Sequence, residues 1–475
     1  MSQTRHVDAI VAGAGLAGAS AACVLSGLGY RVLVVDAGLD HGRRLSGELI
    51  HSLGVAHLRT LGLFRPLVRA GGVPVRGFAV FSCHGQPPRA SPLTDSTGAF
   101  PTAELLDYPE TSGSEHALAV ERVAMMAALL GALTELPNIE LWKAARVTHV
   151  QLQREGLATV TVRRQDGECK VVTPLLVAAG GRSSFLRRSA GVSAAESRIS
   201  VMLGYHLTPA TLPHPGYGHV FVGGPGPVVA YPLGADRVRM LIDVPGTPVA
   251  RLTTQTFAAY AHALPSGFRE AAQDAIEKQT PLVAATYSMI PKTSVNGCVA
   301  FVGDAAGCCH PLTASGMSFS TRDALWLRQA LCQAGGDFPA ALKLYSSLRA
   351  NAQQMRFLLA DLLYNMFSAR TPGMRLLCSG TLRYWQSNPR GRQVTMALLA
   401  SDETRLHVLA REYLSSAYHA LPALWTWPSN PRSLVERKRA LMGLLSDSLS
   451  YMWRTAKPYA RYVVPGHEKA GVPLE

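Results

Sequence analysis

Two groups of residues in this sequence have types and spacing that can do chemistry. The first is Gly13, Gly15 and Gly18, spaced GxGxxG between the apolar run VDAIVA and the small-residue run ASAACVLSGLG, with Asp36 closing the next apolar run, RVLVV. Strand, glycine turn, helix, strand and an acid about twenty residues on is an arrangement that seats a dinucleotide. Gly13 permits the tight turn, Gly15 lets backbone approach a pyrophosphate, and Gly18 lets the helix pack on the strand. The anion rests on free N–H groups at the helix start, and Asp36 accepts from a ribose hydroxyl. The second group, VAFVGDAAGCCHPLTASGM, carries Gly303-Asp304, His310 and the turn from Pro311 through Gly316 to Met317.

The glycine motif alone does not choose between NAD and FAD; the second group does. A strand ending in Asp304 supplies a carboxylate for the ribityl chain of a flavin. A helix beginning after Pro311–Gly316 aims its positive end at the isoalloxazine pyrimidine edge, where negative charge builds on reduction. The expected cofactor is tightly held FAD. No second GxGxxG serves NAD(P)H, so the reductant is expected to dock transiently against the flavin.

The elements around these residues predict an α/β fold. A Rossmann-like FAD-binding domain (1–75, 118–190 and 290–335) interleaves with a β-sheet substrate domain (76–117 and 191–289), and a helical region follows (336–475). Residues 198–246 alternate as sheet does. Met355, Leu359, Leu362 and Met366 recur at helical spacing. Phe78, Phe81, Phe221, Tyr231 and Met240 are candidate liners of a substrate pocket between flavin and sheet, although strand alternation also puts such residues in ordinary core.

Composition narrows the class. Hydrophobic residues make up 48% and charged residues 16% of the 475, which excludes a disordered chain. The eight cysteines show no metal-ligand spacing, so no metal is expected and a reducing compartment is. The vicinal Cys308-Cys309 pair reads as two thiols packed near a cofactor, with a strained disulfide the alternative. The net charge of +14 comes with no nucleic-acid-binding motif. An anionic membrane surface, anionic cofactors and a solvated Arg-rich surface each accommodate it. The start of the chain leaves no room for a signal peptide and no window reads as a membrane span, so a cytoplasmic protein is expected. The C-terminal runs MRFLLADLLYNMF and LMGLLSDSLSYMWRTAKPYARY suit either peripheral contact with the inner membrane face or packing on the protein itself.

Together GxGxxG…Asp, the glycine turn at AAGGRSS and GDAAGCCHPLTASGM resemble the single-component FAD monooxygenases of the p-hydroxybenzoate hydroxylase fold, and within them squalene epoxidase most. RLSGELIHSLGVAHLRTLGL, GHVFVGGPGPVVAYPLGADRVRMLIDVPG and AQQMRFLLADLLYNMFSA carry the likeness further, over residues 7 to about 415. The resemblance implies FAD contacts from Leu16, Asp36, Arg44, Leu49, Arg122, Asp304 and Met317, with Val147 beside adenine. It implies an NAD(P)H- and O2-consuming monooxygenase acting through a C4a-hydroperoxyflavin on a lipophilic isoprenoid, prenylated or alkylated aromatic substrate, by epoxidation or hydroxylation. That chemistry asks for no side-chain base; His310 is either a proton shuttle or a ring that shapes the turn. The chain departs from the family pattern in four places. Gly180-Gly181 replaces the usual Asp-Gly, Ala314-Ser315-Gly316 replaces a glycine run, Phe78 stands where Tyr is usual, and the N-terminal membrane segment of many eukaryotic members is not found. A ubiquinone-pathway-type aromatic hydroxylase, an oxygen-independent flavin reductase or saturase, and a non-catalytic flavoprotein are the rival expectations. A halogenase is disfavoured because WxWxIP is missing.

Overall fold

The computed structural model describes residues 4–38, 45–82, 103–110, 113–153, 156–208, 212–234, 236–246, 251–425 and 431–456. Arg44 lies outside the described residues. Strands of almost wholly apolar residues build the central layer. Val295–Asn296, Val299–Phe301, Leu176–Ala178, Ala9–Ala12, Val32–Val35 and Ile139–Trp142 line up in that order, parallel except for the first pair. The four inner strands are buried on both faces, which is why they read as continuous apolar runs. Ala9 and Val11 point into a core shared with the helices Leu16–Gly27, Arg122–Thr134 and Ser315–Ala334. Ile10 and Ala12 point the other way, against Val160, Val162 and Val171 of a second, four-stranded sheet.

A separate seven-stranded sheet follows the order Leu282–Pro291, Ala194–Leu207, Val238–Pro245, Val228–Pro232, Gly218–Val222, Gly77–Ser82, Glu104–Asp107. All its pairings are antiparallel except that of Gly218–Val222 with Gly77–Ser82. Gly77–Ser82 and Glu104–Asp107 therefore meet the five later strands in one sheet although the helix Arg122–Thr134 and the strands Ile139–Trp142 and Leu176–Ala178 of the central layer intervene in sequence.

Alternation gives this sheet two apolar faces. Phe78, Val80, Val220, Val222 and Tyr231 meet the C-terminal helices. Ala79, Phe81, Phe221, Ala230 and Met240 meet Phe257, Tyr260 and Phe268 of the helices Thr254–Ala261 and Ser266–Lys278. The C-terminal helices are punctuated by capping residues ahead of proline. Asp337, Thr371 and Asn388 accept from the N–H of Ala340, Met374 and Gly391 at 3.0, 3.1 and 3.0 Å, starting Phe338–Ser368, Pro372–Ser387 and Pro389–Leu399. Met355, Leu359 and Met366 are buried in the cluster these helices share with the sheet, and Leu362 packs at its edge.

Candidate active site

The glycine turn shows why each glycine stands where it does. Gly13 has φ +108°, and a methyl there would sit 2.6 Å from the Ala179 carbonyl oxygen. One on Gly18 would lie 1.7 Å from the Gly13 oxygen, so helix and strand touch backbone to backbone. Gly15 is different: the nearest group to its missing side chain is the Arg122 guanidinium, 4.0 Å away. The helix Leu16–Gly27 begins there with no side-chain cap, leaving its first N–H groups available. A cradle open at Gly15 and roofed by a guanidinium is what a diphosphate needs.

Asp36 ends the second strand and fixes the turn by accepting from the Ala14 N–H at 2.8 Å and the Gly38 N–H at 2.9 Å. Its carbonyl accepts from the Ala145 N–H at 2.9 Å, which brings the strand Arg146–Leu152, and Val147 near its start, to this edge. The Val147 side chain itself packs against the core beneath the parallel sheet. Arg122 ties the two motif groups together. Burial lowers its pKa, and the carboxylates of Asp304, Glu48 and Asp36 oppose that shift. The Arg122 charge thus lies within the field of carboxylates from both motif groups, Asp304 and Asp36. The departing Gly180 is here too, its N 3.3 Å from the position of a Gly13 side chain.

On the second side, Gly303–Ala306 and Pro311–Thr313 are short 3-10 turns, and Ser315–Ala334 starts after Ala314 in a left-handed conformation (φ 48°). Met317 packs over Gly47, with Cε 3.3 Å from where a methyl would be, and Leu49 is buried alongside. Gly316 lies between Asp304 and Arg356, whose Oδ1 and Nη2 are 3.9 and 3.5 Å from its missing side chain.

His310 is buried and fully used by the fold. Its Nδ1 accepts from the Leu312 N–H at 3.2 Å, so the proton is on Nε2, which donates to Asp243 Oδ1 at 3.1 Å. Ser200 also donates to that carboxylate, and the Tyr364 ring stands 4.3 Å away. This arrangement shapes the turn ahead of Pro311. Cys308 and Cys309 are free thiols, Cys308 buried; burial pushes its pKa far up, so it stays protonated.

Beyond that turn lies a narrow apolar cavity of about 30 Å3. One wall is the sheet (Phe78, Val80, Leu106 and Val220), the floor is Leu312 and Thr313, and the other wall is the C-terminal helices with Leu363, Phe367, Trp385 and Leu399. The polar groups of its lining are bonded: Trp385 Nε1–H donates to Thr395 Oγ1 at 3.0 Å, and Thr313 shares a hydrogen bond with Ser315 Oγ at 2.9 Å through its own hydroxyl. Of the five candidate liners, Phe78 lines it. Tyr231 shares that face of the sheet but donates its hydroxyl to Glu48 at 3.1 Å. Phe81, Phe221 and Met240 point to the opposite face and are core between sheet and helices.

Sequence reasoning passed over two residues in the run it quoted around position 48. Glu48 is buried and forms a two-bond ion pair with buried Arg239, at 2.8 and 3.0 Å. It also accepts from the Arg122 N–H at 3.3 Å. His51 is fully buried; its Nε2 donates to the Thr313 carbonyl at 2.7 Å, and its Nδ1 accepts from Tyr108 at 2.5 Å. Burial, only partly offset by the Thr313 bond, holds its pKa down to about 4, so the ring is neutral at pH 7. The only available signal was the position of both residues just after the loop that faces the glycine turn.

This architecture is that of FAD-dependent monooxygenases. A probable FAD-dependent monooxygenase from Pseudomonas aeruginosa, PqsL, superposes with TM-score 0.59 at 20% identity, over 77% of this chain and 98% of its own. The OxyS anhydrotetracycline hydroxylase from Streptomyces rimosus gives 0.62 at 21%, over 84% and 77%. The squalene epoxidase family model matches residues 172–428, more than half of the chain. The chain belongs to the squalene epoxidase family. Squalene epoxidase 3 of Arabidopsis thaliana is 30% identical over 332 residues, 68% of this chain and 60% of its own. Squalene monooxygenase of Mus musculus is 25% identical over 447, 90% of this chain and 74% of its own. The match spans about six-tenths of the length of the Arabidopsis squalene epoxidases 3 and 2.

Proposed function

We propose that this chain is an FAD-dependent monooxygenase that uses NAD(P)H and O2 to transfer one oxygen atom to a lipophilic alkene. The open face at Gly15, the Arg122 cation and the Asp36 and Asp304 carboxylates fit a dinucleotide whose diphosphate and ribityl hydroxyls lie between the two motif groups. Bound FAD would supply the activation of oxygen, its reduction by NAD(P)H driving one oxygen atom to substrate and the other to water. The chain's own residues have three tasks: to hold the cofactor between Gly15 and Gly316, to place an apolar substrate against Leu312 and Thr313, and to keep water out.

The observation that carries this reading is the chemistry of the cavity. It abuts the turn that belongs to the cofactor half, and no titratable side chain is among its lining residues. An alkene needs no base and no hydrogen-bond partner, whereas a phenolic hydroxyl would have to compete for the Thr313 and Thr395 hydroxyls, both already bonded. Phe78, Leu363 and Phe367 suit a hydrocarbon chain.

The C-terminal helix Pro431–Ala456 supports peripheral contact with a lipid surface. Ala440, Leu444 and Tyr451 are buried along one side, and Val435, Met442, Leu445, Leu449 and Trp453 are exposed along the other. A helix apolar on both sides has a use for lipid. No helix among the described residues is long and apolar enough to cross a membrane.

The test is turnover by FAD-loaded protein with NADPH and 18O2, squalene being offered in detergent. An epoxide carrying one labelled atom is expected, with NADPH oxidation that rises on adding the polyene. Protein that stays colourless with FAD, or a product formed equally well under argon, would refute the proposal.

A further inference from the structure

The long helix Phe338–Ser368 turns Arg349, Gln353 and Arg356 toward the cofactor half, at spacings of four and three residues that share one face. Arg349 and Gln353 donate to the Ala306 carbonyl at 2.9 and 3.0 Å. Arg349 also has a counter-ion, Asp323, at 2.8 Å. Arg356 does not. It is 3% exposed, its Nε donates to Ser315 Oγ at 3.1 Å and its Nη1 to the Gly307 carbonyl at 3.3 Å, both neutral acceptors. Among the described residues it enters no ion pair and no hydrogen bond from its Nη2 is found, while its guanidinium carbon stands 4.9 Å from the centre of the Phe319 ring. That Nη2 faces Gly316, 3.5 Å from where a side chain would begin, with Asp304 across the same gap at 3.9 Å.

A buried cation bonded only to neutral groups is costly, and such a site is completed by an anion. Among the described residues no carboxylate forms an ion pair with it: Asp323, which also feels its charge, is bonded to Arg349, and Asp304 stands across the gap. Arg356 stands at the first turn of Ser315–Ala334, where the free N–H groups already favour negative charge. Ser315, one of the departures from the family's glycine run, is the residue that anchors it, and it is itself held by Thr313 Oγ1 at 2.9 Å.

We propose that Arg356, positioned by Ser315, is an electrostatic contact to the pyrimidine edge of the bound flavin, holding the negative charge that the ring acquires on reduction and so raising the flavin's reduction potential. The inference rests on the FAD reading given above. A cation near the edge favours the reduced anion over the neutral oxidised ring, so it acts on the ratio of the two affinities more than on oxidised FAD binding itself.

The experiment is an anaerobic, dye-equilibrated reduction of FAD-loaded wild type, Arg356→Met, Arg356→Lys and Ser315→Gly. In Arg356→Met the preference for reduced over oxidised flavin is expected to fall at least tenfold, about 30 mV for a two-electron couple. Arg356→Lys, which keeps the charge, should stay within threefold of wild type, and Ser315→Gly should fall between the two. An Arg356→Met protein that holds FAD at the wild-type potential overturns the inference. Should that variant fail to hold flavin, the other two decide: a Ser315→Gly potential equal to wild type, or an Arg356→Lys loss as large as tenfold, is equally fatal. Wild type that takes up no FAD would instead sink the cofactor reading itself.

Discussion

Replacing Glu48 by alanine tests how the cofactor half is clamped to the seven-stranded sheet. Glu48 precedes the strand Leu49–Ile50, while Arg239 and Tyr231 belong to the sheet, and all three are at least nine-tenths buried. Removing the carboxylate deletes two charge-assisted bonds from Arg239, one from Tyr231 and one from the Arg122 N–H. It also leaves a guanidinium whose Nη1 already has no acceptor among the described residues. Breaking one side of a buried pair costs about 3–5 kcal/mol, because the surviving charge is stranded. At roughly 3 kcal/mol per M of urea that is a midpoint shift of about 1–1.7 M. Replacing both partners, Glu48→Leu with Arg239→Met, removes the stranded charge and should recover most of the loss. Urea titration followed by tryptophan fluorescence reads all three proteins. A Glu48→Ala cost below about 1 kcal/mol, or a double variant as unstable as the single, would refute the idea that this pair carries its charge in the interior.

Other outcomes follow from single sites. Gly18→Ala puts a methyl 1.7 Å from the Gly13 oxygen, so purified protein should carry less than a tenth of the wild-type flavin; absorbance at 450 nm after gel filtration checks it. Phe78→Ala opens the cavity and should alter substrate preference, whereas Phe81→Ala, on the opposite face, should cost about 3–5 kcal/mol of stability with preference unchanged. Because the pKa of His51 is about 4 when folded and near 6.5 when unfolded, its neutral burial costs nothing above pH 6.5. As pH falls toward 4 the unfolded chain takes up the proton first, so stability drops, by about 2 kcal/mol at pH 5. His51→Gln should flatten that part of the curve, and identical pH slopes in the two proteins would contradict it.

The cofactor half was legible because backbone geometry dictates residue type there. Only glycine tolerates φ +108° at position 13 or the contact between Gly18 and the Gly13 carbonyl. A carboxylate at Asp36 is demanded by the turn it closes. The clamp was less legible, since a Glu and an Arg 191 residues apart announce nothing about each other until the strands bring them together. His310 was readable as either shuttle or brace; the structure shows the four partners, two of them on distant strands, through which it braces the turn ahead of Pro311.

Substrate recognition was the hardest to read, for a physical reason. Alternation along Gly77–Ser82 and Gly218–Val222 separates Phe78 and Val220 from Phe81 and Phe221, but period two says nothing about which face meets the cofactor. That choice is made by the helices beyond residue 338, whose Leu363, Phe367, Trp385 and Leu399 close the cavity from far along the sequence. Their apolar spacing is the same whether they fill a core or leave a gap in one. The floor, Leu312 and Thr313, is fixed by the brace at His310, while the facing wall includes Leu363 and Phe367 of the helix whose Tyr364 packs on the His310 ring. Changes in substrate preference should therefore be obtainable at Leu363, Phe367 and Leu399 without disturbing the cofactor, and changes at His310 or Asp243 should disturb both.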